Sequence, residues 1–231
     1  IVSAGDNATI CEDATHEVTA TVTGACGSPS FEWTTSGNGS FDDAYSLTTT
    51  YNPSQDDIDA GSVYLKFTGM PCSPCVTEPV DSLLLTIQLL PEVDAGIDQT
   101  VCEDETVYLD GTISNECSMQ WSSFGDGDFN DINIEDPEYE FGLSDIQNGS
   151  VKLLFAGGSC SPCATGIYDT VLITIQLAPV ADAGDGGTIC EDDSFTLSGS
   201  VENASGQAWS IVLGGGRFDD ASLLNAEYNP G

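Results

Sequence analysis

Three nearly identical five-residue stretches constrain this chain more than any other feature. They read Thr-Ile/Val-Cys-Glu-Asp and occupy Thr9–Asp13, Thr100–Asp104 and Thr188–Asp192. One tryptophan and one tyrosine recur after each copy, at Trp33, Trp121, Trp209, Tyr51, Tyr139 and Tyr228. A period of about 90 residues indicates an array of small domains, because solenoid repeats are much shorter.

The repeats predict domain boundaries near residues 91 and 179. Repeat 1 takes residues 1–91, repeat 2 takes 92–179 and repeat 3 takes 180–231. Repeat 3 stops directly after Pro230 and lacks two strands that the other copies contain. Two explanations stay open: the chain continues beyond Gly231, which is simpler, or a neighbouring subunit donates the strands.

Each repeat has the pattern of a series of short strands. In repeat 1 these are residues 8–11, 17–22, 31–33, 47–51, 62–68 and 82–90, with a short helical turn over 56–61. About seven strands with turns between them and one tryptophan in the third strand predict an all-β fold. We expect tandem immunoglobulin-like antiparallel β-sandwich domains, with the tryptophans in their cores. Short junctions that contain proline predict an extended rod.

The charge of the chain excludes several classes of partner. Asp and Glu number 38 against three Lys and Arg, for a net charge of -35. Such a surface repels nucleic acid and anionic membrane, and suits a salty medium or uptake of divalent cations. The sequence also contains no apolar run of the ~20 residues that a membrane-spanning helix needs, so we expect no membrane insertion.

Nine cysteines at repeated positions predict disulfides and an extracellular location. They are Cys11, Cys26, Cys72, Cys75, Cys102, Cys117, Cys160, Cys163 and Cys190. Loops at the same end of a sandwich bring Cys26 within reach of Cys72 or Cys75. For Cys11, two pairings stay open: a bond to Cys160 or Cys163 of the next repeat, or a bond within repeat 1. Zinc binding is less favoured, since the spacing does not match a zinc ribbon.

Two acidic clusters are candidate calcium sites. Asp126, Asp128 and Asn130 place an oxygen on every second residue, as a calcium loop does, although a hairpin turn explains this segment better. Asp94 and Asp98 lie at a junction where carboxylates of adjoining domains could share the ion. A solvated acidic face is the simpler interpretation of the junction cluster. Calcium is therefore the candidate cofactor.

The sequence favours no enzyme. His16 is the only histidine and has no repeated equivalent, so a catalytic triad has no support. Carboxylate pairs are too numerous to select a glycosidase pair, and no nucleotide-binding motif is present.

The repeated motifs resemble a known family. Asp94–Asp104, Trp121, Gly125–Asp131, Tyr51–Pro53 and Gly61–Val63 are similar to the tandem repeats of large secreted proteins of Bacteroidota. Those repeats are PKD-like and Ig-like modules of giant cell-surface adhesins, including gliding-motility types, exported by type IX secretion. The resemblance implies adhesion at the cell surface. It also implies O-glycosylation of Asp-Ser/Thr-aliphatic sites, which selects Ser82 and Thr170 as candidates.

We therefore expect a non-enzymatic adhesive stalk, stiffened by disulfides, whose partners are neighbouring repeats or subunits. It would transmit force to an adhesive tip. The alternatives are a subunit of a filament assembled by strand complementation, and a polysaccharide-binding module of a secreted enzyme that recognises surface glycans. Tyr45 and Tyr64 are the few candidate aromatics for glycan binding.

Overall fold

The computed structural model describes residues 1–24, 30–71 and 73–231. Repeat 1 contains β1 (Val2–Ser3), β2 (Ala8–Cys11), β3 (His16–Thr19), β4 (Thr21–Val22), β5 (Phe31–Thr35), β6 (Ser40–Phe41), β7 (Thr48–Asn52), α1 (Gln55–Ala60), β8 (Ser62–Gly69) and β9 (Val80–Gln88). The helical turn and most strands lie where the sequence predicts them. The strand expected over residues 17–22 is interrupted at Ala20, and β1 is an addition.

Repeat 2 has the same elements in the same order. They are β10 (Glu92–Asp94), β11 (Gln99–Cys102), β12 (Val107–Tyr108), β13 (Thr112–Ser114), β14 (Glu116–Ser123), β15 (Asp128–Phe129), β16 (Glu138–Glu140), α2 (Leu143–Asn148), β17 (Ser150–Ser159) and β18 (Ile167–Gln176). In repeat 3 the structure has β19 (Val180–Asp182), β20 (Phe195–Thr196), β21 (Ser200–Glu202), β22 (Arg217–Phe218) and β23 (Glu227–Asn229).

Repeats 1 and 2 each pack a four-stranded sheet against a three-stranded sheet. The strand orders are β2-β9-β8-β5 with β3-β7-β6, and β11-β18-β17-β14 with β12-β16-β15. The all-β prediction is confirmed. One pair in each large sheet departs from the expected antiparallel arrangement, because β2 runs parallel to β9 and β11 runs parallel to β18.

The core of each complete repeat lies between its two sheets. In repeat 1, Val63, Leu65 and Phe67 are buried on one face of β8, as their alternation predicts. Trp33 is 1% exposed, and its ring centroid lies 4.9 Å from that of Phe67. The predicted core position of the tryptophan is confirmed for Trp33, and Trp121 of repeat 2 is equally buried.

Repeat 3 keeps the three-stranded sheet, but residues 188–190 and 207–211 form no strand in the described structure. In repeats 1 and 2 the corresponding residues belong to the large sheet, which the long strands β8, β9, β17 and β18 hold together. Trp209 still donates its backbone N–H to Ala221 O at 2.8 Å, as Trp33 does to Ala44 O. The local turn therefore forms without the strands that bury the ring.

Candidate functional site at the repeat junctions

A disulfide joins repeat 1 to repeat 2. Cys11 ends β2, and Cys163 lies in the loop between β17 and β18, yet their Cα atoms are 4.9 Å apart. Both residues are buried, and the Cys163 sulfur lies 3.4 Å from the backbone oxygen of Gln88. Of the two pairings that the sequence left open for Cys11, the structure contains the one between repeats.

A second disulfide, between Cys117 and Cys160, stays within repeat 2, with its Cα atoms 5.0 Å apart. Cys160 also lies against repeat 2's own turn, with its sulfur 3.8 Å from the backbone oxygen of Asn115. The two bonds hold residues 160–163, which we call the cysteine loop, between both repeats. For the pairing predicted between Cys26 and Cys72 or Cys75, Cys26 and Cys72 lie outside the described residues, whereas Cys75 is exposed and not disulfide-bonded.

Three other cysteines are exposed and not disulfide-bonded in the structure. They are Cys75, Cys102 and Cys190. In the structure these three depart from the prediction that all nine cysteines form disulfides. Each occupies the repeat position of a bonded residue, because Cys102 and Cys190 correspond to Cys11 and Cys75 corresponds to Cys163. Their repeat position therefore does not by itself provide a bonding partner.

The two aspartates of the predicted junction calcium site accept hydrogen bonds from backbone N–H groups. Asp94 accepts the N–H of Gly96 at 2.9 Å, and Asp98 accepts the N–H of Leu172 at 2.9 Å. In repeat 1 the equivalent residues are uncharged: Ser3 accepts the N–H of Gly5, and Asn7 accepts the N–H of Leu84. A turn and the start of a parallel strand explain why oxygen-bearing side chains recur at these positions.

The residues of the second predicted calcium cluster also have separate structural roles. Asp126 accepts the backbone N–H groups of Ser144 and Asp145 in the first turn of α2. In repeat 1 the hydroxyl of Ser54 caps α1 directly, whereas repeat 2 has glycine at that position. These N–H donors lower the pKa of Asp126.

Asn130 accepts the N–H of Glu138 at 2.9 Å, and Asp128 lies on β15. Among residues 1–24, 30–71 and 73–231, no three His, Cys, Asp or Glu side chains form a group that could hold a metal ion.

Two buried aspartates, Asp57 and Asp145, are not among the predicted site residues, and they are 2% and 1% exposed. Asp57 Oδ2 accepts the Tyr51 hydroxyl at 2.8 Å and the backbone N–H groups of Gly39 and Ser54 at 2.9 Å. The equivalent Tyr139–Asp145 distance is 2.7 Å. The signal was present in the sequence, because an aspartate follows the repeated tyrosine by six residues in both complete repeats.

Burial and hydrogen bonding set the ionisation of this buried pair. Burial alone would raise the pKa of Asp57, but donors that include the Ser54 N–H and the Tyr51 hydroxyl outweigh burial and lower it. Burial, helped by the neighbouring carboxylate, raises the pKa of Tyr51 to about 12. The same pattern raises the pKa of Tyr139 to about 12. At neutral pH the pair is therefore a carboxylate bound by a neutral phenol.

The predicted glycosylation sites lie where β9 and β18 begin. Ser82 is exposed on β9, and Thr170 is half-buried on β18. The aspartates that precede them have structural partners: Asp81 accepts the N–H of Ala4 at 2.9 Å, and Asp169 accepts that of Ala95 at 3.0 Å. These hydrogen bonds attach the first strand of each complete repeat, which is a second reason for an aspartate at both positions.

Aromatic side chains form no repeated platform on the described surface. Tyr45 and Tyr64 are 68% and 56% exposed, and Tyr64 has Lys152 as its equivalent. His16 lies on β3, where burial lowers its pKa. In the described part of the chain, no helix is long and apolar enough to span a membrane.

Comparison with known proteins identifies the fold class. No family model matches the chain, and no curated protein sequence does. The fold is similar to that of mouse Cadherin-23 EC22-24, with a TM-score of 0.55, 14% identity and coverage of 96% of this chain and 84% of that one. Protocadherin Gamma B2 extracellular cadherin domains 3-6 give a TM-score of 0.50 and 15% identity.

The second match covers all of this chain and 64% of that one, so this chain spans about two thirds of the protocadherin structure. Both are structures of consecutive extracellular cadherin domains. The chain thus has the fold of tandem cadherin-like and Ig-like β-sandwich repeats.

Proposed function

We propose that this chain is a non-enzymatic, load-bearing segment of an extracellular adhesive protein. Its three repeats, residues 1–91, 92–179 and 180–231, would follow one another along a stiff stalk. The bond between Cys11 and Cys163 is the observation that carries the proposal, since it crosses from one repeat to the next. The similarity to cadherin domains and the resemblance to Bacteroidota surface adhesins support the adhesive and cell-surface assignment.

The position of this bond determines which residues carry tension. A pull on the two ends enters through β2, crosses the disulfide at Cys11 and leaves through β18, which follows Cys163. Residues 12–162, with most of both cores, lie off this covalent path. Only residues 1–11 and 163–231 can be drawn out, about a third of the chain.

A single-molecule extension experiment with handles at residues 1 and 231 tests the proposal. At ~3.5 Å per residue, the bonded chain should extend to about 280 Å and the fully reduced chain to about 800 Å. The Cys11→Ser variant, kept oxidised, should extend further than the parent. Cys190→Ser is the matched control, because Cys190 has the same local sequence and no bond, and it should behave as the parent does. Equal extension with and without reductant would contradict the proposed load path.

Calcium binding and glycosylation remain separate proposals. The net charge of -35 would favour Ca²⁺ uptake at Asp94 and Asp98 or at Asp126, Asp128 and Asn130. Calorimetric titration of the metal-free protein checks this, and an absence of binding heat would count against it. Peptide masses from the native source would show whether Ser82 and Thr170 carry glycans.

A further inference from the structure

The junction between repeats 1 and 2 shows what a filled junction contains. Repeat 1 contributes the disulfide-bonded sulfur of Cys11 and the backbone oxygen of Gln88, and repeat 2 contributes the turn at Asn115. The cysteine loop, residues 160–163, contacts all three. Cys11 is held in place because it pairs with Gln88 in the parallel β2–β9 register, and Glu12 N–H donates to Gln88 O at 3.0 Å.

The junction between repeats 2 and 3 contains groups equivalent to those that contact the cysteine loop at the first junction. Cys102 pairs with Gln176 in the β11–β18 register, and Glu103 N–H donates to Gln176 O at 3.0 Å. Asn203 corresponds to Asn115 and has the same left-handed conformation, with φ of 55° against 59°. Its side chain reaches across the junction and donates to the backbone oxygen of Ala178 at 3.3 Å.

These receiving groups line an open cleft of about 790 Å³. The cleft is bordered by Cys102, Glu105, Gln176, Pro179, Asn203 and Ser205. At the first junction the corresponding position is taken by the cysteine loop. At the second junction Cys102 is exposed and not disulfide-bonded.

We propose that the cleft at Cys102 is a docking site for a Ser-Pro-Cys loop of the kind that residues 160–163 form, fixed there by a disulfide to Cys102. The bond forms by thiol–disulfide exchange, in which the Cys102 thiolate attacks a disulfide-bonded cysteine of the loop and the former partner of that cysteine leaves as a thiolate. The partner follows from the repeat, because the strand register, the carbonyl and the turn that receive Cys163 at the first junction are all present at the second. The cleft therefore has the chemistry for one class of occupant: a turn that carries a cysteine at the position of Cys163.

Repeat 3 also specifies how many bonds the partner makes. Cys117 fixes the other end of the cysteine loop through Cys160, and its equivalent in repeat 3 is Ser205. Ser205 lies in the same cleft as Cys102 but cannot form a disulfide. The docked loop therefore needs only its second cysteine, and the position of Cys160 can be any small residue.

A disulfide-exchange experiment on the full chain tests the site. The probe is a synthetic peptide of residues 157–166 with Cys160→Ser, its remaining cysteine activated as a mixed disulfide with 2-thiopyridine. The Cys102 thiolate attacks the peptide sulfur, the peptide–thiopyridine bond breaks, and 2-thiopyridone leaves with the electron pair. A Cys75→Ser background removes the exposed thiol of repeat 1.

Cys190 provides an internal control, since its pentapeptide differs from that of Cys102 only by Ile189 in place of Val101, and its turn is the same, with Asp193 N–H donating to Cys190 O at 3.1 Å. It lacks the parallel partner strand and the receiving carbonyl in the described structure. Relative to the small reagent 2,2′-dithiodipyridine, we expect the peptide to raise the labelling ratio of Cys102 to Cys190 at least about tenfold. A scrambled peptide should leave the ratio unchanged. Equal ratios for the peptide and the small reagent would overturn the proposal.

A Ser205→Cys variant offers a gain-of-function test. With a peptide of residues 157–166 that retains both cysteines, each activated as a mixed disulfide with 2-thiopyridine, it should form an adduct with two protein–peptide disulfides and release two molecules of 2-thiopyridone. The result that would contradict the proposal is an adduct bonded only at Cys102, in a variant whose introduced thiol reacts normally with 2,2′-dithiodipyridine. Both experiments report on Cys102 and Ser205, whereas the extension experiment reports on Cys11, so either proposal can fail without the other.

Discussion

At the scale of single residues, the repeated motifs are explained by contacts with backbone N–H groups. Asp94 and Asp98 serve a turn and a strand start, where repeat 1 has uncharged oxygen-bearing residues, and the recurring aspartates at Asp81 and Asp57 serve the attachment of the first strand and a hairpin with a helix. Each motif could be found from the sequence because of its repetition. What each motif does could not, since the donors come from segments up to 77 residues away.

The buried carboxylate of Asp57 should matter more to stability than its neighbours do. Asp57→Asn replaces an oxygen with an amide donor that faces N–H and O–H donors, so we expect a loss of about 2–3 kcal/mol in the free energy of unfolding. Urea titration followed by Trp33 fluorescence measures this. Asp59→Asn, an exposed position on the same helix, is the control and should change stability by less than about 0.5 kcal/mol.

The same carboxylate gives this substitution a pH dependence. Because the folded pKa of Asp57 is lowered, its contribution is present above the unfolded value and is lost as pH falls through the folded value. The gap between parent and Asp57→Asn should therefore close in acid below about pH 4. A gap that stays constant into acid would contradict this account.

Tyr51 should make the protein sensitive to alkali. Its folded pKa is about 12, whereas an unfolded tyrosine titrates near 10. A raised pKa stabilises the fold below the unfolded value, and this contribution is lost as pH rises from about 10 to about 12. Tyr51→Phe should lower stability at neutral pH and weaken the alkaline loss, as read by unfolding at fixed urea. Tyr45→Phe, on the surface, should do neither.

At the scale of elements, the glycines of the Gly-x-Gly hairpins leave the space that the buried aspartate occupies. A Cβ on Gly37 or Gly125 would overlap the carboxylate of Asp57 or Asp145, and one on Gly39 would overlap the Tyr51 hydroxyl. The glycines are therefore needed for close approach, which their position before the strand did not reveal. The parallel pairs β2–β9 and β11–β18 were also not predicted, because strand patterns do not encode direction.

Gly125→Ala should accordingly destabilise repeat 2. The added methyl forces the hairpin away from Asp145, and we expect a loss of at least about 2 kcal/mol. Trp121 is the tryptophan of this repeat, so a variant that retains only this tryptophan reports its unfolding. Gly166→Ala is the matched control in the same repeat, because a Cβ there would contact only the backbone oxygen of Gly157, at 3.6 Å. An equal effect of both substitutions would indicate a general backbone effect and not a clash.

At the scale of the whole molecule, the chain combines a net charge of -35 with repeats held together covalently. Self-repulsion of such a surface opposes close packing of neighbouring repeats, and salt screens it. A disulfide at the junction holds the repeats together at any ionic strength. At the second junction Cys102 has the repeat position of Cys11 but is exposed and not disulfide-bonded in the described structure.

The sequence by itself determined the repeat, the all-β class, most strand positions and the burial of Trp33 and Trp121. These follow from local alternation and from periodicity, which a single chain displays directly. Only the tertiary structure decided between the two pairings of Cys11, because Cys163 is 152 residues away and reaches it only once two repeats have packed. It likewise decided which backbone N–H groups the recurring carboxylates contact, since a carboxylate's partner is set by what folding brings within 3 Å.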